Sequence, residues 1–253
     1  MIASERQKII LSIVAKDGIV QIADLAVKLK SSESSIRRDL IELENQGKLN
    51  RVHGGAIRNE NYNIYNDFIE DEVINRINKN ANKKDELCKK ISEYITDYQC
   101  IFIDGGSTLL NLPKYIGHKD IRIVTNNELL LNNSSMKAKI HLLGGDFNQQ
   151  YRMTVGSTAI NQVSIFNFDA CFITCSGVSF RDNKSFSADL ETTLIKKQVI
   201  SQSKNSYLIF DNSKIGDYGF CDIDKLSNFD KLITNYTEEV YDLPDNIEFA
   251  TRQ

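Results

Sequence analysis

The segment 31–57, SSESSIRRDLIELENQGKLNRVHGGAI, constrains the fold of this chain most strongly. Its first half reads as an amphipathic helix, in which three apolar residues recur at helical spacing: Ile36, Leu40 and Leu43. Ser31 or Ser32 is a suitable N-cap, because a serine oxygen accepts a hydrogen bond from an unpaired backbone N–H at a helix start. Gly47 is suited to the left-handed conformation that ends many helices. The segment therefore predicts a short helix followed by a basic, glycine-bearing turn.

The exposed face of this helix carries hydroxyls and positive charge near its N-terminal end. With the apolar side chains turned inward, the candidates for nucleic-acid contact are Ser32, Ser34, Ser35, Arg37 and Arg38. A recognition helix reads the major groove with this end. Arg51 and His53, beside two glycines, would form a strand-turn-strand wing that lies against phosphate or in a groove. An ordinary surface helix with a charged face is the alternative.

Two shorter helical patterns precede this segment. Residues 5–16 have apolar residues at helical spacing and are followed by Gly18, and residues 22–29 form a second short pattern. Two helices, a tight turn, a third helix that starts with an arginine pair and a Gly-Gly wing describe a winged helix-turn-helix. The order of these features favours DNA binding over the alternative.

The sequences ERQKIIL, IRRDL, LENQGKL and RVHGGA resemble the N-terminal domain of DeoR-type bacterial transcriptional regulators, from Glu5 to Ala56. The resemblance implies a transcriptional regulator, since members of this family mostly repress sugar and polyol catabolic operons. The chain departs from the family at Ser31, where an apolar residue is usual, and at Ser35, where a threonine is usual. Because Ser35 keeps a hydroxyl for phosphate contact, we expect an altered operator preference and retained binding.

Charge is distributed unevenly along the 253 residues, a length that suits two domains. Residues 1–60 carry a net charge of +2 and the remainder −5, which together give −3. With so little bulk charge, phosphate contacts must come from the placement of individual basic residues, namely Arg37, Arg38, Lys48, Arg51 and Arg58. A dimer with two such heads would double these contacts and steepen the salt dependence of binding.

Several classes of protein are not expected from the composition. No apolar run approaches the ~20 residues that span a bilayer, and the N-terminus does not read as a signal peptide, so we expect a cytoplasmic protein. Five cysteines without a CxxC pair suggest buried thiols rather than disulfides. Three widely separated histidines do not suggest a metal site, and no cofactor is predicted.

We predict a winged helix-turn-helix domain at 1–57, a linker at 58–82 and an effector-sensing and oligomerisation domain at 83–253. The linker is rich in asparagine and charge, with one helical segment near 70–77. Its aromatic residues are expected to pack on a neighbouring domain or protomer, and they are Tyr62, Tyr65 and Phe68.

From residue 83 onward, short apolar strands alternate with helical patterns. The predicted strands are 100–103, 121–125, 140–143, 170–174, 207–210 and 232–234. The predicted helices are 84–95, 109–116, 128–131 and 189–201, with Pro113 ending or kinking the second. This alternation indicates an α/β Rossmann-like domain, a parallel sheet with helices on both faces.

Polar residues recur where these strands end, and in open α/β sheets ligands collect beyond those ends. The segments are DGGST at 104–108, TNN at 125–127, GG at 144–145, SG at 176–177 and DNSK at 211–214. In the first, two glycines allow close approach, and a following helix start would offer N–H groups and two hydroxyls to an anion. Lys214 could add a cationic contact. We predict a small phosphorylated ligand, although any single turn of this kind is more often structural. Without GxGxxG or GxxxxGK[ST], dinucleotides and nucleoside triphosphates are not expected.

DGGST, TNN, LLGG, FDACFITCSGVS, IKKQVI and DNSK resemble the sensor domain of the same family. That domain is similar in fold to ribose-5-phosphate isomerase and binds phosphorylated sugars or related metabolites. The resemblance implies an effector site formed by Asp104, Gly105, Gly106, Ser107, Thr108, Thr125, Asn126, Gly177, Lys196 and Lys214. The acidic residue common four positions before the family's lysine would fall on Thr192, with Glu191 one place away, which weakens any case for isomerase chemistry.

Three functions follow from these features. The favoured one is an effector-controlled repressor that binds operator DNA as a homodimer or homotetramer, without enzyme activity. We expect effector binding to release DNA, although the sequence does not give the sign of the effect. A sugar-phosphate isomerase or deaminase with a DNA-binding appendage is the alternative, with Asp104 and Asp169 as the acids near strand ends. A structural, nucleoid-type DNA binder is the third.

Overall fold

The structure, a computed structural model, describes residues 3–59, 73–132, 137–235 and 243–250. The chain divides into two compact units. The first comprises Met1–Ile69 with Gly216–Tyr218, and the second Glu70–Ile215 with Gly219–Gln253. Tyr62, Tyr65 and Phe68 lie outside the described residues. In the described ranges, no helix is both long and apolar enough to cross a membrane.

The first unit consists of three helices and a small antiparallel sheet. Its elements are α1 (Ala3–Asp17), β1 (Ile19–Gln21), α2 (Ile22–Lys28), α3 (Glu33–Asn45), β2 (Leu49–Val52) and β3 (Gly55–Arg58). The strands are ordered β1-β3-β2. The winged helix-turn-helix predicted from the sequence is confirmed. Strand β1 was not predicted, because three residues carry too little pattern to show a strand.

The core of this unit is formed by the apolar faces of its three helices and the base of the sheet. It includes Ile10, Val14, Leu25, Ile36, Leu40, Leu43 and Leu49, all fully or almost fully buried. Burial of each such side chain contributes about 1.5–3 kcal/mol. Gly18 and Gly47 adopt φ values of +74° and +70° after α1 and α3, as predicted. At Gly55, a Cβ atom would lie 2.0 Å from the carbonyl oxygen of Val20, so glycine allows β1 to pair with β3.

The second unit is built around a parallel sheet. Its helices are α4 (Val73–Ile77), α5 (Ala81–Ile91), α6 (Leu112–Ile116), α7 (Gly156–Val163) and α8 (Leu190–Ser201). Its strands are β4 (Cys100–Ile103), β5 (Arg122–Thr125), β6 (Lys139–Leu142), β7 (Asp146–Asn148), β8 (Met153–Val155), β9 (Ala170–Thr174), β10 (Gly177–Ser179), β11 (Lys184–Ser187), β12 (Ser206–Ile209), β13 (Cys221–Lys225), β14 (Lys231–Thr234) and β15 (Ile247–Phe249). The order in the central sheet is β15-β14-β12-β9-β4-β5-β6, with every neighbouring pair parallel.

All six predicted strands lie in this sheet, within a residue of their expected positions, so the α/β prediction is confirmed. Its two faces are covered by separate apolar clusters. Phe102 belongs to one cluster, together with Ile195 of α8. Ile101 and Ile103 belong to the other cluster, together with Leu87 of α5. This alternation along β4 shows that the sheet is buried on both sides by helices, as parallel sheets generally are.

Three predictions about local structure need correction. The helix expected at 109–116 begins only at Leu112, and Pro113 lies in its first turn, where its missing N–H costs nothing. No helix therefore starts directly after DGGST. The helix expected at 84–95 runs as α5 to Ile91 and continues in a 3₁₀ turn, Ser92–Tyr94. In the predicted linker, Arg58 belongs to β3, and α5 already begins at Ala81.

Candidate nucleic-acid interface and effector site

The start of α3 brings three serine hydroxyls together. Ser32 is the N-cap, and its Oγ accepts a hydrogen bond from the backbone N–H of Ser35 at 3.2 Å. The Ser32 Oγ also lies 2.9 Å from the Oγ atoms of both Ser34 and Ser35. Ser31 is not the cap, since its hydroxyl donates to the Leu29 carbonyl. The hydroxyls predicted to contact DNA thus cluster at one helix end, beside its unpaired N–H groups.

Both predicted recognition arginines are exposed on the face of α3 opposite its core residues. Arg37 Nη2 lies 3.2 Å from Glu33 Oε2 in an exposed pair, and Arg38 Nε donates to the Ser34 carbonyl at 3.4 Å. Exposed ion pairs contribute at most about 1 kcal/mol. Both guanidinium groups can therefore leave these partners for a phosphate or a base edge at little cost.

A buried ion pair fixes α3 against α1. Asp39 is only 3% exposed, and its carboxylate contacts Arg6 of α1 through two nitrogens, with Arg6 Nη2 at 3.2 Å from Asp39 Oδ1. This pair was not predicted from the sequence. The available signal was spacing, because Asp39 lies three residues after Ile36 and so belongs to the buried arc of the helix.

The wing is a two-residue hairpin in which Val52 pairs with Gly55 across the turn at His53 and Gly54. Gly54 has a φ of +82°, a conformation that favours glycine. His53 is exposed at the tip. Arg51 is tied to the end of α3, since its backbone N–H donates to Glu44 Oε1 at 2.9 Å and its guanidinium lies 3.6 Å from Glu44 Oε2. Arg51 therefore ties the wing to α3, and both predicted wing contacts, Arg51 and His53, are exposed.

In the second unit, the strand order reverses between β4 and β9. Strand β5, which follows β4 along the chain, lies on one side of β4. Strand β9 lies on the other side of β4, and β12, the next strand of this sheet along the chain, lies beyond β9. Such a reversal opens a crevice at the carboxyl ends of the two strands, the usual ligand site of open α/β sheets. Asp104 directly follows β4 and Thr174 ends β9. We call the space at these two residues the strand-end site.

Asp104 is the most constrained side chain of the strand-end site. Its Oδ2 lies 2.5 Å from Lys196 Nζ and accepts hydrogen bonds from the Thr174 N–H and hydroxyl at 2.8 and 2.7 Å. Lys196 also donates to the Thr174 carbonyl at 2.8 Å. Asp104 Oδ1 is buried and has no hydrogen-bond partner among the described residues. Lys196 therefore neutralises Asp104, and one carboxylate oxygen still lacks a donor.

The Ser107 hydroxyl is held by a lysine that the sequence analysis did not select. Lys84 of α5 is 6% exposed, and its Nζ donates to Ser107 Oγ at 2.8 Å and to the Arg76 carbonyl at 2.6 Å. Burial lowers the pKa of Lys84 to about 8, against an opposing effect of the Asp211 carboxylate, and the charges of Arg76 and Lys214 lower it further. The signal was again spacing, because Lys84 lies three and four residues before core residues of the same helix.

The two glycines of DGGST have different roles. Gly106 has a φ of +99°, which favours glycine whatever its surroundings. A Cβ atom on Gly105 would lie 2.0 Å from Met153 Sδ of β8, so Gly105 makes room for a side chain of the protein. The Asn126 amide nitrogen lies 3.6 Å from the same sulfur, and Asn126 Oδ1 is buried without a hydrogen-bond partner in the described ranges.

The remaining predicted effector residues lie around this centre. The Thr125 hydroxyl is engaged by backbone, since it donates to the Ile103 carbonyl and accepts from the Asn127 N–H. Thr108 is half-buried, and Gly177 is buried in β10 opposite Phe186.

Lys214 is half-buried at the end of a short 3₁₀ turn capped by Asp211. The Asp211 carboxylate also accepts from Asn80 Nδ2 at 3.0 Å, at the start of α5. The DNSK strand end is thereby joined to the helix that carries Lys84.

Two acidic residues weighed for catalysis lie away from these groups. Asp169 precedes β9 and accepts from the Cys100 N–H at 2.9 Å and from Lys204 at 2.8 Å. It therefore lies at the amino ends of the strands, so its placement near a ligand-binding strand end was wrong. Glu191 is exposed. Thr192 is buried, and its N–H donates a hydrogen bond to Asp189, the N-cap of α8.

Comparison with protein families follows the same division of the chain. The DeoR-like helix-turn-helix domain matches residues 6–62, and the DeoR C-terminal sensor domain matches residues 79–236, more than half of the chain. The chain belongs to the DeoR family. This DeoR-family protein is 29% identical over 244 residues to a Bacillus subtilis (strain 168) protein named uncharacterized HTH-type transcriptional regulator FruR, with 96% of this chain and 95% of that one covered.

A second relative of this DeoR-family chain is the lactose phosphotransferase system repressor of Streptococcus mutans serotype c, 27% identical over 239 residues with 93% of each chain covered. Among solved structures, ribose 5-phosphate isomerase A of Neisseria gonorrhoeae aligns with a TM-score of 0.38 and 20% identity over 52% of each chain. A TM-score this low has no bearing on function.

Proposed function

We propose that this DeoR-family regulator represses a sugar or polyol operon and is controlled by a phosphorylated sugar bound at the strand-end site. The observation that carries this proposal is that the site contains both a buried cation and buried acceptors without donors. Lys84 and Ser107 can hold an anion, and Asp104 Oδ1 and Asn126 Oδ1 are buried without donors among the described residues. One relative is named for a lactose phosphotransferase system, which supports a sugar as the effector class.

The two kinds of group match the two ends of a sugar phosphate. Phosphate oxygens only accept when ionised, so they suit the Lys84 ammonium and the Ser107 hydroxyl. Sugar hydroxyls can donate, so they suit Asp104 Oδ1 and Asn126 Oδ1. A buried acceptor without a donor costs about 1–3 kcal/mol, and a ligand that supplies the donor recovers part of it. Gly106, Thr108, Gly177 and Lys214 complete the proposed site, with Thr125, Gly105 and Lys196 supporting it from behind.

For DNA, we propose that α3 enters the major groove with the Ser32, Ser34 and Ser35 hydroxyls near phosphate and Arg37 and Arg38 near base edges or phosphate. Arg51 and His53 place the wing on the backbone. Two copies of the chain would present two such helices to half-sites about 34 Å apart, one turn of the duplex. Assembly through residues 83–253, with 1–57 as the DNA-binding domain, remains part of this proposal.

An isomerase or deaminase is the weaker alternative. Proton abstraction needs a carboxylate or histidine placed over the sugar with its pKa near the working pH. Asp104 is instead held by a lysine and two donors from Thr174, and Asp169 lies at the other end of the strands. We therefore expect no turnover of ribose 5-phosphate or glucosamine 6-phosphate.

A thermal-shift screen of the full chain tests the effector proposal, because a ligand that binds only the native state raises apparent stability. The probes are ribose 5-phosphate, fructose 6-phosphate, glucosamine 6-phosphate and the unphosphorylated sugars. We expect a phosphorylated sugar to stabilise the wild type and to lose about tenfold in affinity in Ser107→Ala, roughly 1.4 kcal/mol. Ser164→Ala, an exposed serine on α7's C-terminal side, is the matched control. Equal responses of the two variants would remove Ser107 from the site.

A further inference from the structure

Helix α4 is the first described element of the second unit after residues 60–72, the segment that joins it to the DNA-binding unit. It is held by the loop of the β7–β8 hairpin. The Val73 N–H donates to the Gln150 carbonyl at 3.0 Å, and the Arg76 guanidinium lies 5.8 Å from the centre of the Tyr151 ring. The position of α4 therefore depends on the hairpin at one side.

On its other side, α4 is held by the lysine of the strand-end site. The Arg76 carbonyl, at the C-terminal part of α4, accepts from Lys84 Nζ at 2.6 Å, and the same ammonium donates to Ser107 Oγ at 2.8 Å. The Lys79 N–H also donates to that carbonyl, at the longer distance of 3.2 Å. One buried ammonium thus bridges the effector loop, residues 104–108, and the element that leads to the DNA-binding unit.

The β7–β8 hairpin also contacts the effector loop. Met153, in β8, packs against Gly105, and it forms a bridge with Asn127, whose amide nitrogen donates to the Gly106 carbonyl at 3.2 Å. The effector loop, Lys84, α4 and the hairpin therefore form a closed ring of contacts. A shift of any one of these four groups therefore changes the contacts of its neighbours in the ring.

We propose that Lys84 is the positioning residue that transmits occupancy of the strand-end site to α4, a step that rests on the proposed effector function. A hydrogen bond from an ammonium to an ionised phosphate is roughly twice as strong as one to a neutral carbonyl. A phosphate at Ser107 therefore draws the Lys84 ammonium toward itself and away from the Arg76 carbonyl. That carbonyl keeps its long bond from Lys79, and the C-terminal end of α4 loosens.

The change is located at α4, the first described element after the DNA-binding unit along the chain. The bound and empty states then differ in how α4 is held, and a ligand with different affinity for these two states shifts the protein between them, as any allosteric effect requires.

Hydrogen exchange on the full-length wild type, followed by mass spectrometry, tests the inference with inorganic phosphate and ribose 5-phosphate as probes. We expect slower exchange at 104–110 and, in the same samples, exchange at 73–79 faster by about threefold or more, since local opening governs amide exchange. Protection at 104–110 with unchanged or slower exchange at 73–79 overturns the inference and leaves the proposed function intact. No protection at 104–110 with either probe overturns both.

A variant outside the strand-end site gives a second readout. Tyr151→Leu removes the ring beside Arg76 and keeps an apolar side chain, whereas Arg152→Gln changes the next residue, whose guanidinium pairs with Glu128. We expect Tyr151→Leu to bind ribose 5-phosphate within about twofold of wild type but to lose most of the ligand's effect on DNA affinity, a loss of coupling and not of binding. Arg152→Gln keeps that effect. A full wild-type effect in Tyr151→Leu would contradict the role of α4.

Discussion

The ammonium of Lys196 lies 2.5 Å from the carboxylate of Asp104, and both side chains are buried where β4 and β9 end. The pair occupies one oxygen of Asp104, which is also bound by both donors of Thr174. The other oxygen is thereby fixed in place without a partner in the described part of the chain. The strand-end site thus holds a preorganised acceptor whose orientation does not depend on the ligand.

Breaking this pair should destabilise the second unit. Asp104→Asn leaves the Lys196 ammonium buried without its counter-charge, and removal of one partner from such a pair costs about 3–5 kcal/mol. Urea unfolding would measure the loss. The double variant Asp104→Asn with Lys196→Met removes both charges and should recover part of it. A single variant as stable as wild type would show that the pair does not contribute as the geometry implies.

Anion binding should depend on the protonation of Lys84. Since burial lowers the pKa of this lysine to about 8, we expect affinity for inorganic phosphate to fall as the pH rises through that value. Calorimetric titrations between pH 7.5 and pH 9.5 would show it, over a range in which inorganic phosphate is mostly a dianion. Lys84→Met should bind weakly at every pH. A wild-type affinity independent of pH over this range would exclude Lys84 as the anion's partner.

The lowered pKa of Lys84 also makes folding stability depend on pH, and in the opposite direction to anion affinity. Lys84 has a lower pKa in the folded chain than the ~10.4 of an unfolded one, so the unfolded state binds more protons between the two values. The contribution of Lys84 to the free energy of unfolding therefore rises with pH from about 8 to about 10.4. Unfolding titrations of wild type and Lys84→Met should diverge over this window, with wild type gaining stability relative to the variant. Parallel curves would contradict the lowered pKa.

Loss of a DNA-contacting arginine should change the salt dependence of binding. If Arg38 contacts a phosphate, Arg38→Ala lowers the slope of log affinity against log salt by about 1, because fewer counterions are released. If it reads a base, the slope stays and discrimination at one position falls. Fluorescence anisotropy with a duplex selected from genomic DNA distinguishes the two. Lys137→Ala, an exposed basic residue of the second unit, should have neither effect.

The contact between Gly105 and Met153 gives a packing test. Gly105→Ala places a methyl where the Met153 sulfur lies, and such overpacking costs about 1–3 kcal/mol. Met153→Ala in the same chain frees that space, so the double variant should lose less stability from the added methyl than wild type does. Thermal unfolding of the wild type, the two single variants and the double variant gives the double-mutant cycle. Additive effects would mean that the two residues do not share this space.

Sequence patterns predicted the parts of the fold whose residues repeat over several turns or strands. The helices of the first unit and the six predicted strands of the second all carry such patterns, and each was found near its expected position. The antiparallel sheet of β10, β11 and β13, the β7–β8 hairpin and β15 were missed, since these short strands contain no run of consecutive large apolar residues. Helix α7 was missed as well. Short pairs of this kind are set by tertiary contacts more than by local pattern.

For the site, sequence reasoning found the segments at the strand ends but not how their groups are used. Lys84 stands in KKDELCKK, where its spacing from Leu87 and Cys88 marks a buried position but does not identify Ser107 as its partner. The family resemblance placed Lys196 in the effector site, and in the fold its ammonium contacts Asp104. Both outcomes depend on residues 23 and 92 positions apart along the chain, which no local spacing reveals.

The most direct test of this account is the affinity of the full-length protein for its selected DNA duplex, measured by fluorescence anisotropy with and without the phosphorylated sugar that stabilises it best. We predict that the sugar changes the dissociation constant for DNA by about 5- to 150-fold, the usual range of allosteric coupling, and that Ser107→Ala shifts the half-maximal change to about tenfold higher sugar concentration. Tight DNA binding that no phosphorylated sugar alters would contradict it.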